Sequence, residues 1–264
     1  MRRRVRLRFS DSTVSSKAFY LQDNWQVSDN WSLDLGVRYT SFENTVSSGE
    51  VYADLDGNIE PRVAAVWDVQ GDGRTKAYVS AGRYFQPVAA RMNIVQGASS
   101  IEYFDFYATA GLDAQGRPTL RSDGSPDRGA AYGPRSYRQR GITDPNLIAS
   151  KNLEAMYSDQ FSLGFETEVF ETLRAGVRVT YSELGRSVED TDYGPVLTAK
   201  LAELGIDDAL GQSSFYILSN PGKDVQVAFD FDQDGDIDPV TLTAAETRLP
   251  IWRSEERRVG KECR

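Results

Sequence analysis

Apolar and polar residues alternate along four stretches of the chain. In residues 31–40, Trp31, Leu33, Leu35, Val37 and Tyr39 oppose Ser32, Asp34, Gly36, Arg38 and Thr40. In residues 173–182, Leu173, Ala175, Val177, Val179 and Tyr181 oppose Arg174, Gly176, Arg178, Thr180 and Ser182. Residues 160–169 set Phe161, Leu163, Phe165 and Val169 against Gln160, Ser162, Gly164, Glu166 and Glu168. Residues 61–69 set Val63, Ala65, Trp67 and Val69 against Arg62, Ala64, Val66 and Asp68. A period of two sends successive side chains to opposite faces, so each stretch predicts a β-strand with one apolar and one polar face. Charged residues keep to one parity in all four. Each stretch is about ten residues long, the length a tilted strand needs to cross a bilayer. Residues 17–28 and 75–86 predict two looser strands. Asp23 shares the face of Phe19, Leu21, Trp25 and Val27, and Lys76 and Arg83 fall on opposite parities, which predicts a bulge or an end effect.

The connections sharpen this picture. Asp29-Asn30, Gln70-Gly71-Asp72-Gly73-Arg74 and Phe170-Glu171-Thr172 predict tight hairpin turns. Between them lie long excursions near residues 44–60, 87–157 and 184–244. Short and long connections in alternation match a barrel with turns at one rim and loops at the other, a layout that a soluble sandwich rarely sustains. Trp25, Trp31, Trp67 and Phe170 flank the short turns, and Tyr39, Phe42, Tyr84, Phe85, Tyr157 and Tyr181 sit at the opposite strand ends. Amphipathic rings gather at both membrane interfaces, although strands are enriched in aromatics in any case. The expected fold is all-β: a partial antiparallel transmembrane β-barrel of six whole strands, with a seventh starting at Thr247–Trp252, and long extracellular loops. Within the loops, Pro195–Leu204 predicts a helix with Leu197, Leu201 and Leu204 on one face and Gly205 at its C-cap. The run Tyr103-Phe104-Asp105-Phe106-Tyr107 reads as a loop hairpin or as a surface for an extracellular ligand.

Composition narrows the function. The 264 residues are 40% hydrophobic and 26% charged, which excludes disorder, collagen and low-complexity linkers. No run approaches the roughly 18–20 apolar residues of a membrane-spanning helix. A net charge of -9 and a pI near 4.8 argue against a nucleic-acid partner, which would require clustered cations. The chain has no histidine, so Ser/His, Cys/His and His-ligated metal chemistries lack a base or ligand. No Walker loop, dinucleotide fingerprint or nucleophile elbow is present, and no enzyme activity is expected.

Both ends stand apart. Met1-Arg2-Arg3-Arg4 begins a basic run, but no apolar stretch follows it to make a signal peptide, so residues 1–14 are set apart as a non-native or partial N-terminal segment. Residues 253–264 carry five basic and three acidic residues and the only cysteine, Cys263, leaving -11 on the rest. This stretch reads as translated sequencing adapter, with a solvated native tail as the alternative.

One motif points to a metal. Asp230, Asp232, Asp234, Asp236 and Asp238, with Gly235 among them, follow the first nine positions of a D-x-D-x-D-G calcium loop, in which alternate carboxylates supply hard oxygens and glycine permits the sharp turn. Thr241 occupies the twelfth position, where a bidentate glutamate would complete an EF-hand, so calcium binding there would be weak, and an uncoordinated acidic turn is the alternative. Asp54-Leu55-Asp56-Gly57-Asn58 is a shorter echo that reads as a turn.

Ala18–Val27 followed by Trp31–Tyr39 resembles a barrel hairpin of TonB-dependent receptors. Glu60-Pro61-Arg62-Val63, leading through Trp67 and the Gly73 turn to Tyr78–Phe85, resembles the next. Asp144-Pro145-Asn146-Leu147, Phe161–Glu166 and Asn220-Pro221-Gly222 are similar to the Oar-like branch of that family. The resemblance covers roughly residues 15–250. It implies a segment of a larger barrel in the bacterial outer membrane, in contact with lipid and closed by a plug. Such a receptor imports a scarce ligand of unknown identity into the periplasm with energy from TonB. A plug, a TonB box and a closing aromatic strand are not found here, so an internal fragment is expected. The alternative is a secreted or surface-exposed calcium-binding β-domain that binds glycan or protein.

Overall fold

The computed structural model describes residues 2–248, apart from 142, 210, 212 and 213. The strands are β1 (Arg2–Phe9), β2 (Val14–Ser28), β3 (Trp31–Thr45), β4 (Val51–Asp68), β5 (Thr75–Gln86), β6 (Ser99–Thr109), β7 (Arg128–Ala131), β8 (Ser136–Arg140), β9 (Met156–Phe170), β10 (Leu173–Arg186), β11 (Glu189–Asp192), β12 (Tyr216–Ser219), β13 (Val225–Phe229) and β14 (Asp238–Leu242). Helices α1 (Ala90–Val95), α2 (Gly194–Leu204) and α3 (Ala244–Thr247) lie among them. No described helix is long and apolar enough to cross a membrane.

The six strands expected from alternation form one antiparallel sheet in the order β10-β9-β5-β4-β3-β2. Its neighbours follow the chain, and β5 pairs with β9 across the longest connection, so the sheet grows as a meander. The expected turns sit at one end. In the β4–β5 turn the Asp68 carboxylate accepts the Gly71 and Gly73 amides at 3.0 and 2.7 Å, which fixes the reversal. The sheet is open, with β2 and β10 as its edges.

The strands are longer than the bilayer requires, and this corrects the expected loop at 44–60. Pairing of β3 with β4 continues from Trp31↔Trp67 to Thr45↔Val51, so only residues 46–50 turn. Burial drives the extension: Phe42, Val46, Tyr52 and Leu55 pack with Val88, Ile148, Leu153 and Leu218 in a core at the far end of the sheet. The Asp54–Asn58 stretch is accordingly a bulge in β4 rather than a turn. The register passes from Thr40↔Asn58 to Phe42↔Leu55, so Asp56 and Gly57 face a single residue, Ser41. Gly57 takes φ +73°, a conformation that costs glycine little, and the Asn58 side chain donates to the Thr40 and Leu55 carbonyls to close the gap in the ladder. On β5 no bulge separates Lys76 from Arg83, because its pairing with β9 runs unbroken from Thr75↔Thr167 to Gln86↔Met156. The mismatch is an end effect.

The two longer connections fold as well. The aromatic run at 103–107 lies in β6, the central strand of a second sheet between β1 on one side and β7 and β8 on the other. Helix α2 starts one residue before its expected limit and ends on Gly205 in the left-handed region. Leu197 and Leu201 are buried, whereas Leu204 is exposed. Around α2, residues Phe215, Ile217, Val225, Val227, Phe231, Val240 and Leu242 complete a second core. The seventh strand expected from Thr247 is not formed at its first residue. Thr247 closes α3, which Thr243 and Glu246 start with reciprocal side-chain to backbone hydrogen bonds. The remainder of that stretch, from 249, and the tail at 253–264 lie outside the described residues.

Candidate functional site

The two faces of the six-stranded sheet differ sharply. One face carries the odd-numbered residues in rows across the strands: Trp31, Trp67, Ala77, Phe165 and Val177 nearest the short turns, then Leu33, Ala65, Val79, Leu163 and Val179, then Leu35, Val63, Ala81, Phe161 and Tyr181. Among the described residues, none of these rows packs against a second sheet. Leu163, Val177 and Val179 are 55%, 64% and 65% exposed. Soluble surfaces rarely leave so continuous an apolar patch bare. At its short-turn edge the Trp31 and Trp67 rings stack at 5.7 Å. At about 3.4 Å per residue and a tilt near 40°, the rise from Trp31 to Tyr39 is roughly 21 Å, close to the apolar band of an outer-membrane barrel.

This apolar face ends in an ion pair that the sequence patterning did not reveal. Arg83 donates to both oxygens of Asp159 at 2.7 and 2.8 Å, and its guanidinium lies 4.1 Å from the centre of the Tyr157 ring. Glu183 stands opposite Asp159 on β10. Asp159 and Glu183 fall just beyond the alternating stretches 160–169 and 173–182, and this charge on the outward parity was the available signal. Asp23 joins the same face one row below, as its sequence position predicted.

The even-numbered face is polar and internally bonded. Lys76 pairs with Glu166 at 3.0 Å, and Arg178 donates to the Tyr78 hydroxyl at 3.2 Å. Asn24 donates to Asp34 at 2.5 Å. Thr40 and Arg62 both donate to Glu60 at 2.7 Å, and Arg62 lies over the Tyr84 ring at 4.7 Å. Gly164 leaves the space into which the Tyr78 ring folds; a Cβ there would meet ring atoms at 2.2 Å. Three carboxylates on this face thus each hold a cation, Glu60 with Arg62, Glu166 with Lys76 and Glu168 with Arg174.

The acidic loop between β13 and β14 is arranged by its own backbone. Asp230 accepts the amides of Asp234 and Gly235, both at 3.1 Å, and Asp238 accepts that of Phe231 at 3.0 Å. Carboxylate oxygens of Asp230, Asp232 and Asp238 come within 4.8 Å of one another. Asp234 and Asp236 are not part of that group; the Asp234 carboxylate accepts the Asp236 amide at 2.8 Å. Thr241 pairs with Gln226 in the β13–β14 ladder. Burial, followed by the charges of Asp234, Asp238 and Asp230, raises the Asp232 carboxyl above the ordinary value. A cation would relieve that repulsion.

An antiparallel wall with one bare apolar face, one ion-paired face and folded connections at a single end defines an outer-membrane β-barrel segment. Residues 3–236 match the family described as TonB dependent receptor-like, beta-barrel. The chain belongs to that family. The match includes most of the 1–14 stretch that the sequence alone set apart. Over 238 aligned residues the chain is 26% identical to the TonB-dependent transporter Oar of Myxococcus xanthus, an alignment covering 80% of this chain and 20% of that protein. The chain therefore spans about a fifth of the length of this curated relative. No solved structure matches it.

Proposed function

We propose that the chain forms part of the wall and outer cap of a receptor in the bacterial outer membrane that imports a scarce ligand into the periplasm. On this reading the odd-numbered face meets lipid and the even-numbered face meets the lumen and the plug, where paired charges are tolerated. TonB and the plug are partners through the rest of the protein. The short turns face the periplasm and the folded connections face outward. The single observation that carries this reading is the exposed apolar band backed by a charged face on the same six strands. Extraction of native membranes tests it: the intact protein should resist an alkaline wash and enter solution only with detergent. Release into the aqueous wash would overturn it and favour a secreted β-domain.

Calcium is proposed for the outer cap on narrower ground, the convergence of Asp230, Asp232 and Asp238. Three carboxylates, backbone carbonyls and water can together supply the six to eight oxygens the ion takes. Calorimetric titration of the intact protein with calcium should show a weak site that Asp232→Asn removes. Equal heats from the parent and the variant would leave the loop an acidic turn held by its own amides.

A further inference from the structure

The net charge of the chain is -9, yet one face of the β1-β6-β8 sheet is strongly basic. The register aligns two rows across three strands: Arg6, Glu102 and Arg138 in one, and Arg8, Ser100 and Arg140 in the next. Glu102 and Ser100 are buried between flanking strands whose arginines are exposed. These six residues line most of a cleft of about 240 Å³. Glu102 is already shared by two cations, Arg6 and Arg4, the latter at 2.7 Å. Among the described residues, no carboxylate pairs with Arg8, Arg138 or Arg140. Three guanidiniums without a carboxylate partner thus line one cleft with the buried residue Ser100.

The spacing selects the guest. Strands two apart lie roughly 9.6 Å from each other, and successive rows on one face lie about 6.8 Å apart along the strand. A single carboxylate fills one guanidinium fork with one negative charge and leaves the other two cations without a counter-charge. A phosphate ester or diphosphate presents several acceptor oxygens and close to two negative charges, and guanidinium forks match such oxygens in bidentate fashion. Ser100 adds a hydroxyl donor at the floor.

We propose that this cleft binds a phosphate-bearing ligand through Arg8, Arg138 and Arg140, with Glu102 holding Arg4 and Arg6 in position. The phosphate comes either from a soluble ligand reaching the outer cap or from the headgroup of a neighbouring lipid. The inference rests on the transport reading only for the side of the membrane the cleft faces. Binding by the purified protein is independent of it, so the two can fail separately.

The test uses the intact receptor in a non-ionic detergent, with two probes. In the first arm inorganic pyrophosphate is titrated calorimetrically, with acetate as a control anion. In the second, mixed micelles containing phosphatidic acid are compared with micelles containing phosphatidylcholine. Arg138→Gln/Arg140→Gln should weaken binding about tenfold or more, and added salt should weaken it further, because the contacts are charge-assisted. Arg117→Gln, in a turn that does not line the cleft, should bind as the parent does. Mobility on an unheated gel checks that the barrel has formed, and Arg8→Gln is the second variant if the double one fails to fold. Pyrophosphate binding assigns the site to a soluble ligand, and binding confined to phosphatidic acid assigns it to lipid. Unchanged affinity in the cleft variants, equal displacement by acetate, or no binding in either arm overturns the proposal.

Discussion

Leu35 and Leu201 are both leucines inside regular elements, yet Leu35 is 46% exposed and Leu201 is 1% exposed. The difference separates two regions built on opposite rules. In the lower wall, from the short turns up to the Leu35 row of β2–β5, β9 and β10, the odd-numbered apolar residues turn outward and meet only one another, so their stabilisation must come from the surrounding solvent phase. In the cap, apolar residues turn inward on two cores, and short strands and helices suffice because each buries one face. The wall draws its order from the ladder of backbone hydrogen bonds between six strands; the cap draws its order from packing. One chain therefore needs two environments to be stable.

The sharpest way to break this comparison is a truncation in each region. Phe231→Ala, at a fully buried cap position, should cost about 3–5 kcal/mol of cap stability, read as earlier proteolysis of residues 189–248 in the folded receptor while the barrel stays intact. Leu35→Arg should cost about 2–4 kcal/mol of barrel stability if the residue lies near mid-bilayer, read by a folding titration into lipid. A cost as large for Leu35→Ala as for Phe231→Ala would show that the wall has a protein core after all. Thr243→Ala should cost about 1 kcal/mol, confined to α3, because it removes the side chain that starts the helix.

The acid dependence of the cap is a finer test. The folded state raises the Asp232 carboxyl above its ordinary 3.8, so the fold disfavours the ionised form. Its contribution is therefore favourable below that value and is lost as pH rises through the folded-state value. Without metal, the Asp232 contribution should fall as pH climbs from the acid range towards neutral, against the opposite trend of Asp192 and Glu246, whose carboxyls the fold holds low, so the parent and Asp232→Asn should diverge over that range. Calcium should restore the lost contribution at neutral pH and lose its effect on acidification, as followed by protease protection. A calcium effect that persists below the carboxylate range would place the ion elsewhere. Smallest of all, Asp34→Asn should change barrel stability by no more than about 0.5 kcal/mol. An effect matching that of Leu35→Arg would refute the assignment of the two faces.

The wall was legible in the sequence because a membrane imposes one rule along each strand. Trp31 to Thr40 and Leu173 to Ser182 follow it residue by residue, and their registers need no tertiary information. Legibility stopped where the membrane stops. Residues 44–60 read as a loop because the alternation changes meaning there: Phe42 and Val46 continue the parity of Asp34 and Arg38 but are buried against protein. β1 does alternate, with Val5, Leu7 and Phe9 opposing Arg4, Arg6 and Arg8, but its basic start drew the reading towards a leader segment, whereas β8, Ser136-Tyr137-Arg138-Gln139-Arg140, carries almost no hydrophobic signal. Helix α3 had a readable sign, Thr243-Ala244-Ala245-Glu246, which the strand-like text around it masked. In the acidic loop the sequence gives all five aspartates equal weight, whereas the fold brings carboxylate oxygens of Asp230, Asp232 and Asp238 together and leaves Asp234 and Asp236 out of that group.

The Asp56-Gly57 bulge has a topological meaning beyond its local geometry. Without its extra residue, the upper half of β4 would slide by one position, and Leu55 and Ala53 would trade sides with Asp54. A glycine deletion at 57 would turn the upper hairpin inside out and leave its greasy side chains nothing to lean on. A single added unit of backbone is the hinge at which a surface made for fat becomes a roof made for protein.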